Sequence, residues 1–132
     1  MDLEIIRIAS DTKNNKDLNP HTHFSESKNP VCGDVVQIKL VVKGSKISDF
    51  AYQGKSCIYC QATASLLAKT SINKNFKKIN ELCDDANSFF DTGNKIFNEK
   101  WSLFNKLFKK KNLSRKECIL LPFKTLQKIV SE

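Results

Sequence analysis

Three cysteines and one aspartate have the residue types and positions of a metal site. Cys32 and Asp34 come just before a predicted strand, Cys57 follows the next predicted strand, and Cys118 lies near the start of the last predicted helix. Three thiolates and a carboxylate complete a tetrahedral shell for Zn²⁺. They also suit an iron–sulfur cluster with one exchangeable, non-cysteine corner. The competing interpretation is that each cysteine is only a small buried apolar residue.

A predicted β-hairpin explains why two of these cysteines should meet. Residues 35–42 alternate between apolar and polar, residues 46–53 form the returning strand, and Gly44-Ser45 stands at the turn. Because a hairpin brings its two ends together, we expect Cys32 and Cys57 to lie close to one another at its open end. The final helix would bring the third thiol over that end.

The remaining elements predict an α+β fold, with a small antiparallel three-stranded sheet and helices packed on one face. The aromatic residues of the returning strand fit its inner face only if a one-residue bulge lies near Ser48-Asp49. A capping-box pattern at Ser114–Glu117 predicts the start of the last helix, with Pro122 in its first turn or kinking it. The other predicted elements are an edge strand at 21–27 and helices at 2–13, 58–72, 77–91 and 95–110, with a turn at 92–94.

Composition narrows the class of protein. The 132 residues suit a single domain, 1–132, and the five cysteines are an odd number, which favours metal or thiol chemistry over disulfides. Neither a signal peptide nor a membrane span is evident, so we expect a cytoplasmic protein. The net charge of +8 comes from scattered basic residues, and the one dense run, 109–111, fits a solvated helix end. We therefore do not expect nucleic-acid binding.

The positions of the cysteines also suggest their reactivity. Cys57 precedes a predicted helix and Cys118 lies in the first turn of another, where the helix dipole is expected to lower the thiol pKa. Cys60 completes a C-x-x-C with Cys57, and three roles stay open for it: a core residue, an auxiliary thiol or half of a redox pair. Cys83 lies among apolar residues at helical spacing and is expected in the core.

Four motifs in this order resemble the U-type iron–sulfur assembly family, the group of IscU, SufU and the NifU N-terminal domain. They are Asn29-Pro30-Val31-Cys32-Gly33-Asp34, Gly54-Lys55-Ser56-Cys57, Ala62-Thr63-Ala64-Ser65 and Arg115-Lys116-Glu117-Cys118. The resemblance implies that Cys32, Asp34, Cys57 and Cys118 bind Zn²⁺ or a [2Fe–2S] cluster. It implies a scaffold or sulfur relay rather than an enzyme, with a cysteine desulfurase and apo iron–sulfur proteins as partners. Cys118 is then the candidate sulfur acceptor.

Departures from the family pattern favour its SufU-like branch. Glu117 stands where the IscU branch has a histidine, and 112–116 replace that branch's Leu-Pro-Pro-Val-Lys signal. Arg115, three residues before Cys118, and the long helical stretch after Cys57 resemble the SufU type. Glu117 could ligate or repel anionic intermediates. The alternative function is a zinc-stabilised interaction module without sulfur transfer, in which the metal would supply about 10 kcal/mol of folding free energy.

Overall fold

A computed structural model describes residues 3–30, 32–92 and 99–131. Three strands form one antiparallel sheet in the order β1-β2-β3, which confirms the predicted α+β fold. No helix within the described ranges is both long enough and apolar enough to span a membrane. The elements are α1 (Leu3–Ala9), β1 (His23–Lys28), β2 (Val35–Lys43), β3 (Lys46–Lys55), α2 (Ile58–Ser71), α3 (Phe76–Thr92), 3₁₀ helices at Glu99–Lys106 and Lys110–Arg115, and α4 (Lys116–Val130).

The β2–β3 hairpin has the predicted turn and the predicted bulge. Gly44 and Ser45 both have positive φ, 55° and 67°, as the tight turn of a twisted hairpin requires. Val42 pairs with Ile47 whereas Val41 pairs with Asp49, so the register shifts by one residue at Ser48. This shift turns the aromatic side chains of β3 towards the core.

The core lies between the inner face of the sheet and the helices. Alternate β2 residues Val36, Ile38 and Leu40 are buried, as their two-residue spacing predicts. α2 contacts β3, and α4 contacts β1 and β2. α2 is buried along most of its length because its many alanine and serine residues allow α1 and α4 to approach closely. These contacts fix the start of α4 relative to the hairpin.

Gly54 holds the open end of the hairpin together. Its φ is +143°, and a Cβ atom at this position would lie 2.0 Å from the carbonyl oxygen of Val35. Only glycine allows the two strands to approach so closely here. The close contact lies one residue before β3 ends, and Cys57 follows shortly after that end.

Two helix predictions are wrong in type or position. Glu99–Lys106, within the predicted helix 95–110, is a 3₁₀ helix; the end of the predicted turn and the start of that helix lie outside the described residues. A 3₁₀ helix aligns residues three apart, and Phe104 and Leu107 are both fully buried. α4 begins at Lys116, not at the predicted capping box, because a 3₁₀ helix occupies Lys110–Arg115.

Pro122 lies inside α4, beyond its first turn. The helix continues through it, and because proline has no N–H, the carbonyl of Cys118 has no helical donor four residues on. The first helix is also shorter than predicted, ending at Ala9.

Candidate metal centre

Three segments meet at the open end of the hairpin. The loop before β2 is closed by two backbone hydrogen bonds: Gly33 N–H donates to the Asn29 carbonyl, and Asn29 N–H donates to the Asp34 carbonyl, each at 2.8 Å. Gly33 has φ +79°, and a Cβ atom added to it would meet no other atom within 4 Å. The glycine therefore serves the left-handed backbone turn that separates Cys32 from Asp34, and not a close contact.

The ligand atoms of Cys32, Asp34 and Cys118 all lie within 4.8 Å of one another. Around tetrahedral zinc, Zn–S bonds of about 2.3 Å place the sulfur atoms about 3.8 Å apart. The three groups therefore need to contract by about 1 Å or less to share one ion. Cys32 is exposed, whereas Asp34 and Cys118 are half-buried, so one side of the cluster is open to solvent.

Cys57 lies against this cluster without belonging to the group of three defined by that distance. Its backbone N–H donates to Oδ2 of Asp34 at 3.3 Å, and its thiol is one of the groups that raise the pKa of Cys118. It is also the N-cap of α2, and its side chain makes no capping hydrogen bond. The sulfur is thus not engaged by the helix end and lies beside Cys118.

The pKa of Cys118 is raised to about 12, contrary to the expectation from its position in the first turn of α4. Burial is the largest cause, followed by the hydrogen bond with Cys57 and by the charges of Cys57, Asp34 and Cys32. These effects outweigh the helix dipole because the site gathers several acidic groups that each disfavour a further negative charge.

The other two cysteines are buried. Cys83 is fully buried, its thiol donating to the Phe123 carbonyl at 3.8 Å, which confirms its place in the core. Cys60 is also fully buried, and burial raises its pKa strongly; a hydrogen bond with Ser56 lowers the pKa, and the charges of Cys57, Asp34 and Cys118 raise it further. Cys60 is therefore packed in the core behind the cluster.

Arg115 and Glu117 lie close to Cys118 in sequence but point to different partners. The guanidinium of Arg115 lies over the ring of Tyr59, 5.4 Å from its centroid. The carboxylate of Glu117 is 3.4 Å from Lys124 Nζ and lines a separate groove of about 230 Å³. The Arg115–Tyr59 contact links the start of α4 to the start of α2, and sequence reasoning missed it because it needs the three-dimensional arrangement.

The sequence matches one family of proteins over most of its length. The family model described as NifU-like N-terminal domain matches residues 3–89. The chain belongs to this family, and the predicted resemblance is confirmed.

Individual relatives agree with this assignment. An iron–sulfur cluster assembly scaffold protein IscU from Thermotoga maritima is 29% identical, over 97% of this chain and 90% of that protein. A putative scaffold protein for the SUF system from Fervidobacterium islandicum is 25% identical, with a TM-score of 0.87 over 96% of this chain and 93% of that one. The N-terminal part of a NifU-like protein from Brucella abortus, 18% identical, shares the fold, with a TM-score of 0.88 over 98% and 91% of the two chains.

Proposed function

We propose that this protein accepts sulfur from a cysteine desulfurase at Cys118 and assembles iron–sulfur clusters for transfer to apo-proteins. Its metal or cluster ligands would be Cys32, Asp34, Cys57 and Cys118. The observation that carries this proposal is the approach of three ligand atoms, from two distant parts of the chain, to within 4.8 Å at a solvent-open corner. Membership of a scaffold family supports it independently.

The chemistry of the donor set fits a cation. Burial and the neighbouring Cys57, Asp34 and Cys32 raise the pKa of Cys118 and so disfavour its thiolate. A bound cation would reverse this effect and keep the thiols deprotonated at neutral pH. Three sulfurs and one oxygen suit Zn²⁺ or a [2Fe–2S] cluster. We propose the same four residues for either group.

Each residue has a distinct part in this proposal. Exposed Cys32 and half-buried Cys118 are accessible to an incoming sulfur donor. The N–H of Cys57 orients the Asp34 carboxylate towards the thiols. Sulfur would arrive by thiol exchange, in which a thiolate attacks the outer sulfur of a donor persulfide and the donor thiolate leaves. The cluster itself is cargo, which fits an open site, and exchange of this kind needs the reduced thiols of the cytoplasm.

A zinc-stabilised interaction module without sulfur transfer is the alternative. In that case the metal would supply much of the folding free energy, and its removal would unfold the domain. The buried core, however, extends through β2, β3, α2, α3 and α4, well beyond the cysteine cluster. A core of this extent favours a protein that stays folded when the metal is chelated, as a scaffold should.

A desulfurase assay tests the proposal. The rate of sulfide production from cysteine is measured with no addition, with this protein, with Cys118→Ser and with Cys83→Ser as the matched control. We expect stimulation by the wild type and by Cys83→Ser, and its loss with Cys118→Ser. Anaerobic reconstitution with iron and sulfide should give a protein-bound cluster chromophore. The proposal would be refuted if the wild type neither stimulated the desulfurase nor bound metal.

A further inference from the structure

Cys57 and Cys60 form a C-x-x-C motif, and the proposed function assigns a role to Cys57 but none to Cys60. Cys57 is the N-cap of α2 and Cys60 lies in its first turn. The Gln61 N–H donates to the Cys57 carbonyl at 3.0 Å, which closes this turn. Residues three apart in a closed α-helical turn have Cα atoms about 5 Å apart. Disulfides span Cα separations of about 4.4 to 6.8 Å, so the backbone already allows a bond between these two sulfurs.

The surroundings of Cys60 differ from those of the other buried cysteine. Besides burial, the pKa of the Cys60 thiol is affected by a hydrogen bond with Ser56, which lowers it, and by the charges of Cys57, Asp34 and Cys118, which raise it. The thiol of Cys83 instead donates to the Phe123 carbonyl, in the helical core. Cys60 is thus a thiol shielded from solvent, one helical turn from a sulfur with no capping role.

We propose that Cys60 is a resolving thiol that attacks a persulfide on Cys57 and releases its outer sulfur as hydrogen sulfide. This inference rests on the proposed function, in which the cluster of thiols receives persulfide sulfur. A bond forms between the sulfurs of Cys60 and Cys57, and the bond from Cys57 to the outer sulfur breaks. The outer sulfur leaves with the electron pair and takes the Cys60 proton. Two thiol sulfurs are oxidised to a disulfide, and the sulfane sulfur is reduced to sulfide.

The Asp34 carboxylate accepts from the Cys57 N–H at 3.3 Å and lies within 4.8 Å of the Cys118 sulfur, and this proximity gives sulfur a route to the pair. If Cys118 receives the persulfide, the Cys57 thiolate attacks its outer sulfur, and Cys118 leaves as a thiolate. Sulfur in a cluster is at the sulfide oxidation level, so sulfane sulfur must gain two electrons before it is incorporated. The Cys57–Cys60 pair supplies both electrons once, and an external dithiol reductant must then reduce the disulfide.

Burial of Cys60 suits this role. A shielded thiol reacts slowly with thiols and oxidants in solution. The Cys57 persulfide would be held next to Cys60 at a high effective concentration, which favours the intramolecular attack over competing reactions. The same burial would make Cys60 hard to alkylate in the folded protein.

The experiment loads the full-length, metal-free protein with sulfur from sodium polysulfide, under anaerobic conditions. Excess reagent is removed, and sulfide release is followed in thiol-free buffer. Trypsin cleaves after Lys55 and Lys69, so one peptide, Ser56–Lys69, carries both cysteines. In the wild type this peptide should change from one sulfur heavier to two hydrogens lighter, with one sulfide released per disulfide formed.

Cys60→Ala and Cys83→Ala form the matched pair of variants, since each removes one fully buried thiol. Cys60→Ala should keep the persulfide on Cys57 and release sulfide at roughly a tenth of the wild-type rate or less, because the thiol in the same helical turn is lost and attack must come from the thiols of other segments or from other molecules. Cys83→Ala should behave like the wild type. Circular dichroism checks that both variants fold. The peptide mass in the wild type tests the inference even if a variant does not fold.

Equal sulfide release by the wild type and Cys60→Ala would overturn the inference. The inference would also be overturned if the Cys57 persulfide formed but never gave a disulfide, or if polysulfide formed no persulfide on Cys57. These failures are distinct from failure of the proposed function. A protein that stimulates a desulfurase and binds metal without forming the disulfide keeps its proposed function and loses only this step. A protein that forms the disulfide without stimulating a desulfurase would keep this step and lose the proposed function.

Discussion

The thiols of Cys118 and Cys83 lie in two regions of this molecule whose neighbouring groups differ although the pKa shifts are alike. Both pKa values are raised to about 12, and burial is the largest cause in each. Around Cys83 the remaining contribution is the charge of Asp84. Around Cys118 the further causes are Cys57, Asp34 and Cys32, each of which is itself a potential ligand.

The difference shows how a site can be told from a core when the pKa shifts are the same. In the helical core, protonation of Cys83 leaves a small apolar group in a packed environment. At the hairpin end, protonation of Cys118 relieves the repulsion within a cluster of acidic groups. Adding a metal ion should therefore change the ionisation of Cys118 and leave that of Cys83 unchanged.

The largest expected effect is on metal affinity. Cys32→Ser and Cys118→Ser should each weaken Zn²⁺ binding about 1,000-fold, about 4 kcal/mol, because loss of a ligand costs more than loss of an outer-shell partner. Cys83→Ser should bind zinc as the wild type does. Competition with a chromophoric chelator measures the affinities. Equal affinity for Cys118→Ser and Cys83→Ser would remove the distinction between the two regions.

Substitutions of the two glycines at the hairpin end should lower stability to different extents, because only one of them lies in a close backbone contact. Gly54→Ala places a Cβ 2.0 Å from a backbone oxygen and should lower the free energy of unfolding by about 3 kcal/mol or more. Gly33→Ala meets no atom within 4 Å and should cost only about 1–2 kcal/mol, for its positive φ. Urea denaturation measures both. A larger loss of unfolding free energy for Gly33→Ala than for Gly54→Ala would show that the loop before β2 stabilises the fold more than the close contact at Gly54 does.

Alkaline pH should destabilise the core through Cys83. Its pKa is raised from 9.0 to about 12 in the folded protein, so its contribution to stability is fully present below pH 9 and is lost as the pH rises towards 12. At pH 10 the loss should be about 1.4 kcal/mol. Unfolding curves at pH 8 and pH 10 should therefore differ less for Cys83→Ala than for the wild type. An identical difference would show that this thiol is not protected from ionisation.

The smallest predicted effect concerns the contact between α4 and α2 beside the cluster. The Arg115 guanidinium over Tyr59 should contribute about 0.5–1 kcal/mol at this exposed position. A double-mutant cycle with Arg115→Ala and Tyr59→Leu measures the coupling energy. A coupling near zero would show that the two side chains do not hold the helices together.

Much of the hairpin could be predicted because its pattern is local. Alternation along β2 defines the inner face, and the aromatic residues of β3 require the extra residue at Ser48. Hairpin closure then explains why the segments carrying Cys32 and Cys57 lie at the same end. Cys118 was expected at this end because it opens the last predicted helix, but a long helical stretch separates it from Cys57, so no local pattern determined its position and the family resemblance added support.

The helical details could not be predicted from local pattern. The Ser114–Glu117 pattern does not start α4, because the preceding 3₁₀ helix continues to Arg115. The raised pKa of Cys118 was missed for a related reason. Its position in the helix suggested a lowered pKa, whereas its neighbours from other segments determine the sign of the shift.

X-ray absorption spectroscopy of the zinc-loaded protein tests the central claim most directly, because it counts the atoms bound to the metal. The proposed site predicts three sulfur ligands at about 2.3 Å and one oxygen at about 2.0 Å. Cys57→Ser should remove one sulfur from this shell, and Asp34→Asn should change its oxygen ligand. Cys83→Ser is the control, and its shell should match that of the wild type. A wild-type shell with fewer than three sulfurs would contradict the proposal that Cys32, Cys57 and Cys118 bind one ion together.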